Sequence, residues 1–239
     1  MRARLGLGGG GGVTNHKTLF DQIERWRKRD DGVCIVTFNY DRMIEAGLLG
    51  LGINIVELAD YVANEHYKLI KLHGSVNWAR EVETLIENIE TRNVWEIASE
   101  LIHRAAELKI NQSFHVVQGH PPVTTYGTTA LFPALAIPVE NKRDFECPDH
   151  HVEVLHEQIP SVAKLLVIGW RATETPFLRM LAEGLRRRLK LLVVAGGAAQ
   201  AQEIAERIGV HGIQFDLFMA DSGFTEFVVR REGDEFFRA

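Results

Sequence analysis

Polar side chains and glycines follow several short apolar runs of this sequence, and their types suit chemistry on a small polar ligand. Asn39, Tyr40 and Asp41 come directly after one run, and His73-Gly74-Ser75 comes directly after another. Histidine is suited to acid–base chemistry because its unperturbed pKa, about 6.5, lies close to physiological pH. These two loops therefore combine a candidate base with polar groups that can bind hydroxyls.

Two later loops have a similar character. Gly169-Trp170-Arg171 and Gly196-Gly197 also follow apolar runs. A glycine lets a ligand approach the backbone closely because it has no Cβ. Together the loops suit a nucleotide, which carries ribose hydroxyls and phosphates. Trp170 leaves two interpretations open: it stacks on a ligand ring, or it closes the edge of a sheet.

The elements that must position these loops alternate between short apolar runs and amphipathic helical patterns. Apolar runs of five or six residues between helices indicate βαβ units and a buried parallel sheet. We therefore predict an α/β fold with a doubly wound, mainly parallel, Rossmann-like sheet. In such a sheet ligands bind outside the carboxyl ends of the strands, where the candidate loops lie. The predicted strands are 33–38, 68–72, 164–168, 190–195 and 213–218.

Two segments do not follow this alternation. Residues 80–110 have a helical pattern and residues 111–139 are rich in proline, threonine and glycine, so we predict a helical and irregular insertion at about 80–138. The glycine-rich residues 1–16 are predicted to be a flexible leader. The Rossmann-type domain is then expected to span 17–239, with its first helix beginning at about Lys17.

Composition limits the possible partners and the compartment. A net charge of -5 with both signs mixed provides no field that would recruit nucleic acid or an anionic membrane. Two cysteines exclude a disulfide framework, and no apolar stretch approaches the ~20 residues of a membrane helix. We therefore expect a soluble cytoplasmic protein that binds a small-molecule nucleotide, with other domains or a homo-oligomer as possible partners.

Each candidate residue also has a plain structural interpretation. His73 can be a capped strand-end histidine, and Asp41 can be the N-cap of a helix. The spacing of His150, His151 and His156 matches no standard zinc pattern, so a solvated helix start is favoured and no metal site is predicted. The order of Asn39, Asp41 and His73 along the predicted strand ends favours a functional role for all three.

The order of these motifs resembles that of the sirtuins and their bacterial sirtuin-like relatives. Residues 37–42 with Glu45 resemble the T-x-N-x-D segment of the family, and residues 71–75 resemble its histidine-glycine segment. Residues 165–181 resemble the later strand–glycine–helix unit of the bacterial branch, and VVAGG and GFTEF resemble its closing units. The resemblance covers roughly residues 33–228, apart from the insertion.

The resemblance implies a domain that binds NAD as substrate or ligand and cleaves off its nicotinamide. His73 is then implied as the general base or ribose contact, Asn39 as the group that positions the ribose or water, and Asp41 as the residue that orients the site. The implied cofactor-binding residues are Thr37, Gly74, Ser75, Gly169, Trp170, Arg171, Gly196 and Gly197.

The chain also departs from that family. It lacks the two C-x-x-C pairs that hold zinc in deacylase sirtuins, and it has Gly169-Trp170-Arg171 where many have Gly-Thr-Ser. The family's first unit, a strand leading to Gly-Ala-Gly-x-Ser, has no counterpart in MRARLGLGGGGGV. The missing cysteine pairs argue against a deacylase, and the resemblance to the bacterial branch implies an NAD glycohydrolase, with a defence role as one possibility. The alternatives are a non-catalytic NAD or ADP-ribose sensing or interaction module and, least favoured, an NAD-dependent protein deacylase.

Overall fold

The computed structural model describes residues 14–83, 91–104, 109–117, 125–126, 129–135 and 145–238. Its strands are β1 Val33–Thr37, β2 Tyr67–Lys71, β3 Gly74–Glu83, β4 Lys109–Val116, β5 Thr125–Tyr126, β6 Thr129–Leu135, β7 Lys164–Ile168, β8 Leu189–Val194 and β9 Phe215–Ala220. Its helices are α1 Asn15–Trp26, α2 Met43–Leu49, α3 Asp60–Ala63, α4 Val94–His103, α5 Asp149–Gln158, α6 Thr175–Gly184, α7 Ala198–Gly209, α8 Gly223–Arg230 and α9 Asp234–Arg238, with a short 3-10 turn at Ile159–Ser161.

The predicted parallel α/β architecture is confirmed. β1 pairs in parallel with β2, and β7, β8 and β9 form a second parallel group. Alternate side chains of β8 face opposite layers of helices. Val193 packs with the α6–α7 layer, whereas Val194 packs with Leu19 of α1 and Phe227 of α8. Helices therefore cover both faces of the sheet, as in a doubly wound fold.

The insertion at about 80–138 was predicted to be helical and irregular, but much of its described part is an antiparallel sheet. β3, β4, β5 and β6 form an antiparallel sheet in the order β4-β3-β6-β5, and β3 begins already at Gly74. Residues 80–83 were predicted to be helical, but they continue β3. Pairing of this strand on both sides, with Trp78 and Val82 at most 3% exposed, overrides the helical spacing of its apolar residues. α4 lies within the stretch predicted to be helical, and parts of the insertion fall outside the described residues.

The start of the domain also differs. α1 begins at Asn15, because the hydroxyl of Thr14 accepts a hydrogen bond from the amide of Lys17 and caps the first turn. Residues 14–16 thus belong to the folded domain and not to a leader. The rest of the predicted leader, residues 1–13, lies outside the described residues. None of the described helices is long and apolar enough to cross a membrane.

Candidate functional site

The register of β1 and β2 brings the first two candidate loops to the same edge of the sheet. Thr37 is paired with Lys71, and the amide of Leu72 donates to the carbonyl oxygen of Thr37 at 3.1 Å. Asn39 and His73 each lie two residues beyond that last pair. They therefore occupy equivalent positions on neighbouring strand ends.

The loop after β1 is held by short-range hydrogen bonds. The buried hydroxyl of Thr37 accepts from the amide of Asn39 at 3.1 Å. Oδ1 of Asp41 accepts from the amide of Met43 at 2.9 Å, where α2 begins. The N-cap residue of α2 is Arg42, so the interpretation of Asp41 as an N-cap is wrong, and its carboxylate closes a turn just before the helix. The Asn39 and Asp41 side chains are both exposed, and Asn39 lies beside the cavity described below.

The loop after β2 places His73 against aromatic rings. Its imidazole lies 5.0 Å from the ring of Phe38, in an edge-on arrangement, and 6.4 Å from the ring of Tyr40. It is half-buried. The candidate base is therefore supported on one side by apolar rings and is still accessible.

Gly74 and Ser75 are tied to the protein's own backbone. Gly74 has φ +85°, and a Cβ at this position would lie 2.0 Å from the carbonyl oxygen of Ala134 on β6. The fully buried hydroxyl of Ser75 donates to Oδ1 of Asn77 at 2.7 Å and lies 3.3 Å from the carbonyl oxygen of Tyr40. These two residues fix the position of His73 relative to the loop after β1.

The loop after β7 contributes an aromatic wall. The Trp170 indole stacks on Phe38, with centroids 5.5 Å apart and planes at 21°, and its Nε1 donates to Glu174. Gly169, at φ +65°, turns the chain into this position. Arg171 is exposed, and its carbonyl oxygen accepts from Nη1 of Arg207. Trp170 thus packs on a neighbouring strand end and also lines the cavity.

The loop after β8 leads into a helix of twelve residues, α7. The amide of Gly196 donates to Oε1 of Gln200 at 3.2 Å, and Gly197 is the N-cap residue of α7. The first turn of a helix presents amide groups without intrahelical partners, and these favour anions such as phosphates. This is the part of the site suited to a pyrophosphate.

A cavity of about 490 Å³ lies between β1 and β7, and residues of the loops after β1, β7 and β8 line it, whereas His73, Gly74 and Ser75 of the loop after β2 are not in its lining. β2 lies on the far side of β1, whereas β8 and β9 follow β7 in the opposite direction. The strand order therefore reverses at this cavity, which is where doubly wound sheets bind their ligands. Of the predicted site residues, Thr37, Asn39, Gly169, Trp170, Arg171 and Gly196 line it.

Two residues at the cavity were missed by sequence reasoning. His16 of α1 lines it, and burial lowers the pKa of this histidine although the nearby Asp41 carboxylate opposes the shift. Gln200 of α7 lines it as well. Neither follows a strand, so inspection of strand ends could not find them. The only sequence signal is that His16 shares a helical face with Phe20 and Ile23.

The histidines considered as metal ligands are separated in the structure. Nε2 of His151 donates to the carbonyl oxygen of Leu58 at 2.9 Å in the core, whereas His150 is exposed beside Glu153. Within the described ranges, no three histidine, cysteine, aspartate or glutamate side chains are grouped closely enough to hold a metal ion.

Comparison with known proteins returns solved structures only. No family model matches the sequence, and no curated protein matches it. The chain is similar to a Sir2 in complex with the inhibitor EX-527, 2'-O-acetyl-ADP-ribose and a deacetylated p53 peptide, with 16% identity over 94% of this chain and 72% of that one, at a TM-score of 0.46. It is similar to a Sir2–p53 peptide–NAD+ complex, with 16% identity over 94% of this chain and 70% of that one, at the same TM-score. It is also similar to Sir2Tm bound to a propionylated peptide, with 15% identity over 94% of this chain and 71% of that one, again at a TM-score of 0.46.

Proposed function

We propose that this chain is a sirtuin-like NAD-binding domain that hydrolyses NAD to nicotinamide and ADP-ribose. The observation that carries the proposal is the pairing of Thr37 with Lys71, which brings Asn39 and His73 side by side at the carboxyl ends of β1 and β2. Asn39 lies in the wall of the cavity at the reversal of strand order. His73 lies next to that wall, against Phe38.

Cleavage of the bond between nicotinamide and ribose develops positive charge on the ribose. In this proposal His73 accepts a proton from a ribose hydroxyl or from the attacking water, and Asn39 positions that group. Preorganised polar groups and a nearby base stabilise such a transition state. Asp41 keeps the loop after β1 in place through its hydrogen bond to Met43.

The remaining loops suit the rest of the dinucleotide. The N-terminus of α7, with Gly196 and Gly197, is proposed to face the pyrophosphate. Trp170 offers an aromatic face, and Gly169 leaves the backbone open beside it. Arg171 is exposed at the same edge and supplies a positive charge. We place this activity in a bacterial cytoplasm, on a free nucleotide.

A second candidate is a non-catalytic module that holds NAD or ADP-ribose. The hydrogen bonds of Asp41 and Ser75 favour it, because Asp41 already binds the backbone amide of Met43 and Ser75 already binds the side chain of Asn77. Only Asn39 and His73 then remain as candidates for contact with the reacting bond. This module would use the same cavity without turnover.

Nicotinamide release from NAD, followed by chromatography, tests the first proposal. We expect His73→Ala to lower the rate by about 10²–10⁴, the usual range for a general base. His150→Ala, which changes an exposed histidine away from the cavity, is the matched control and should leave the rate unchanged. Thermal stabilisation by NAD without nicotinamide release would assign the second candidate. Neither release nor stabilisation would contradict both.

A further inference from the structure

The last residue of β2, Lys71, is only 1% exposed, and its ammonium group reaches the loop after β1. Nζ donates to the carbonyl oxygen of Asp41 and lies 3.5 Å from the carbonyl oxygen of Tyr40. The same Nζ lies 3.0 Å from Oε1 of Glu45 on α2. Because His73 follows Lys71 by two residues, this side chain connects the strand end of His73 to the loop after β1.

The ladder between β1 and β2 ends before either candidate residue. Its last pair is Thr37 with Lys71, and the amide of Leu72 donates to the carbonyl oxygen of Thr37 just beyond that pair. Asn39 and His73 both lie past this point. Strand pairing alone therefore does not fix the distance between them, and contacts beyond the ladder must do so.

Among the described residues, three donors from β2 and β3 face the two carbonyl groups that follow the candidate asparagine. The carbonyl oxygen of Tyr40 accepts from the amide of Val76 at 2.9 Å and from the hydroxyl of Ser75 at 3.3 Å. Lys71 is the donor to Asp41. A hydrogen bond from a charged donor is roughly twice as strong as one between neutral groups. The bond from Lys71 is therefore the strongest of these three tethers.

The three hydrogens of the Lys71 ammonium group have three acceptors within reach. They are Oε1 of Glu45 and the carbonyl oxygens of Tyr40 and Asp41. A buried ion pair contributes little net stability, because the removal of two charges from water offsets their attraction. Stability alone therefore does not account for a charge at this position, whereas a fixed position of the loop does.

We propose that Lys71 is a positioning residue, which holds the loop after β1 so that Asn39 stands beside His73 in the geometry that the reaction requires. This inference rests on the hydrolysis of NAD proposed above. Lys71 touches no ligand and acts through Asn39. A displacement of about 1 Å can lower a rate by about 10². Loss of Lys71 therefore lowers kcat, whereas KM changes little because the other loops bind the rest of the dinucleotide.

The test compares turnover with stability in two variants. Lys71→Met removes the donor and leaves the Glu45 carboxylate buried, whereas Lys71→Met/Glu45→Leu removes both charges. The double variant is expected to be the more stable of the two, since it buries no unpaired charge. We expect both variants to release nicotinamide with a kcat lower by about 10–10² and with a KM close to that of the wild type.

Ile159→Ala is the matched control for stability. Ile159 is 2% exposed and lies in the 3-10 turn before β7, at the amino end of the sheet. Truncation of a buried isoleucine destabilises a protein, so this variant should lose stability and keep its kcat. Rates are measured at a temperature at which circular dichroism shows every variant to be folded. Lys71→Leu/Glu45→Met replaces the double variant if that variant does not fold.

Amide hydrogen exchange follows the loop without NAD. In Lys71→Met/Glu45→Leu we expect faster exchange at the amides of Val76 and Met43, which bind the carbonyl oxygen of Tyr40 and the carboxylate that follows it, and unchanged exchange in β8. Unchanged protection of these two amides would overturn the proposal.

Two kinetic results would also overturn the proposal. One is a double variant whose kcat recovers together with its stability, because the contact would then be structural only. The other is an equal loss of kcat in Ile159→Ala. If the wild-type chain releases no nicotinamide, the proposed hydrolysis fails, and hydrogen exchange still decides whether Lys71 positions the loop.

Discussion

Nζ of Lys71 lies 3.0 Å from Oε1 of Glu45, and both side chains are almost completely buried directly beneath the candidate site. The Lys71 ammonium also donates to the carbonyl oxygen of Asp41. The hydroxyl of Tyr61 donates to the same Glu45 oxygen at 3.0 Å. Burial lowers the pKa of Lys71, and the Glu45 carboxylate partly offsets this effect. The pair thus ties β2, α2 and the loop that carries Asn39 into one unit.

Lys71→Met is expected to destabilise the protein by about 3–5 kcal/mol, because it leaves the Glu45 carboxylate buried without its partner. The double variant Lys71→Met/Glu45→Leu should recover part of that loss, since it removes both charges. Urea unfolding followed by circular dichroism measures both. The interpretation fails if the double variant is less stable than the single one.

Gly74→Ala is expected to destabilise the protein more than Gly52→Ala does. Both glycines have positive φ, +85° and +80°, so each alanine carries a conformational cost of about 1–2 kcal/mol. At Gly52 a Cβ meets nothing within 4 Å, whereas at Gly74 it would lie 2.0 Å from the carbonyl oxygen of Ala134. Melting temperatures of the two variants isolate the steric term. Equal losses of melting temperature in the two variants would show that β3 can move away from β6 without a loss of stability.

Stability should fall as the pH drops from about 6.5 to 4, partly because of His151. Burial lowers the pKa of this histidine to about 4, so in that interval the unfolded state binds more protons than the folded state. This lowering of the pKa from 6.5 corresponds to about 3 kcal/mol of unfolding free energy, which is fully lost below pH 4. His151→Phe should flatten the pH dependence of the unfolding free energy, and His150→Phe, an exposed neighbour, should not. The half-buried His16, whose pKa burial also lowers, adds a further pH dependence of the unfolding free energy with the same sign.

The parallel strands could be predicted from sequence because each is a short apolar run between helices. β7 coincides with its predicted bounds, and the register that aligns Asn39 with His73 follows from two strands ending at one edge. The antiparallel insertion could not be predicted, because its strand pairs are fixed by partners far apart in sequence, such as Arg80 with Phe132. His16 could not be predicted as a cavity residue for a related reason, because only the tertiary packing of α1 brings it to the strand ends.

The last prediction separates Asn39 from Asp41, which lie two residues apart in the same exposed loop. Asn39 lines the cavity, and its backbone amide is held by Thr37, so Asn39→Ala changes the cavity wall and keeps the turn. Asp41 accepts from the amide of Met43, and Asp41→Asn keeps an acceptor oxygen for that bond. We expect Asn39→Ala to lower nicotinamide release by at least about 10², within the range found for preorganised polar groups, and Asp41→Asn to lower it by less than about tenfold. If the protein binds NAD without turnover, the same order should appear in NAD affinity measured by calorimetry. A larger loss for Asp41→Asn would assign the reacting role to the Asp41 charge and leave Asn39 as a residue of the turn.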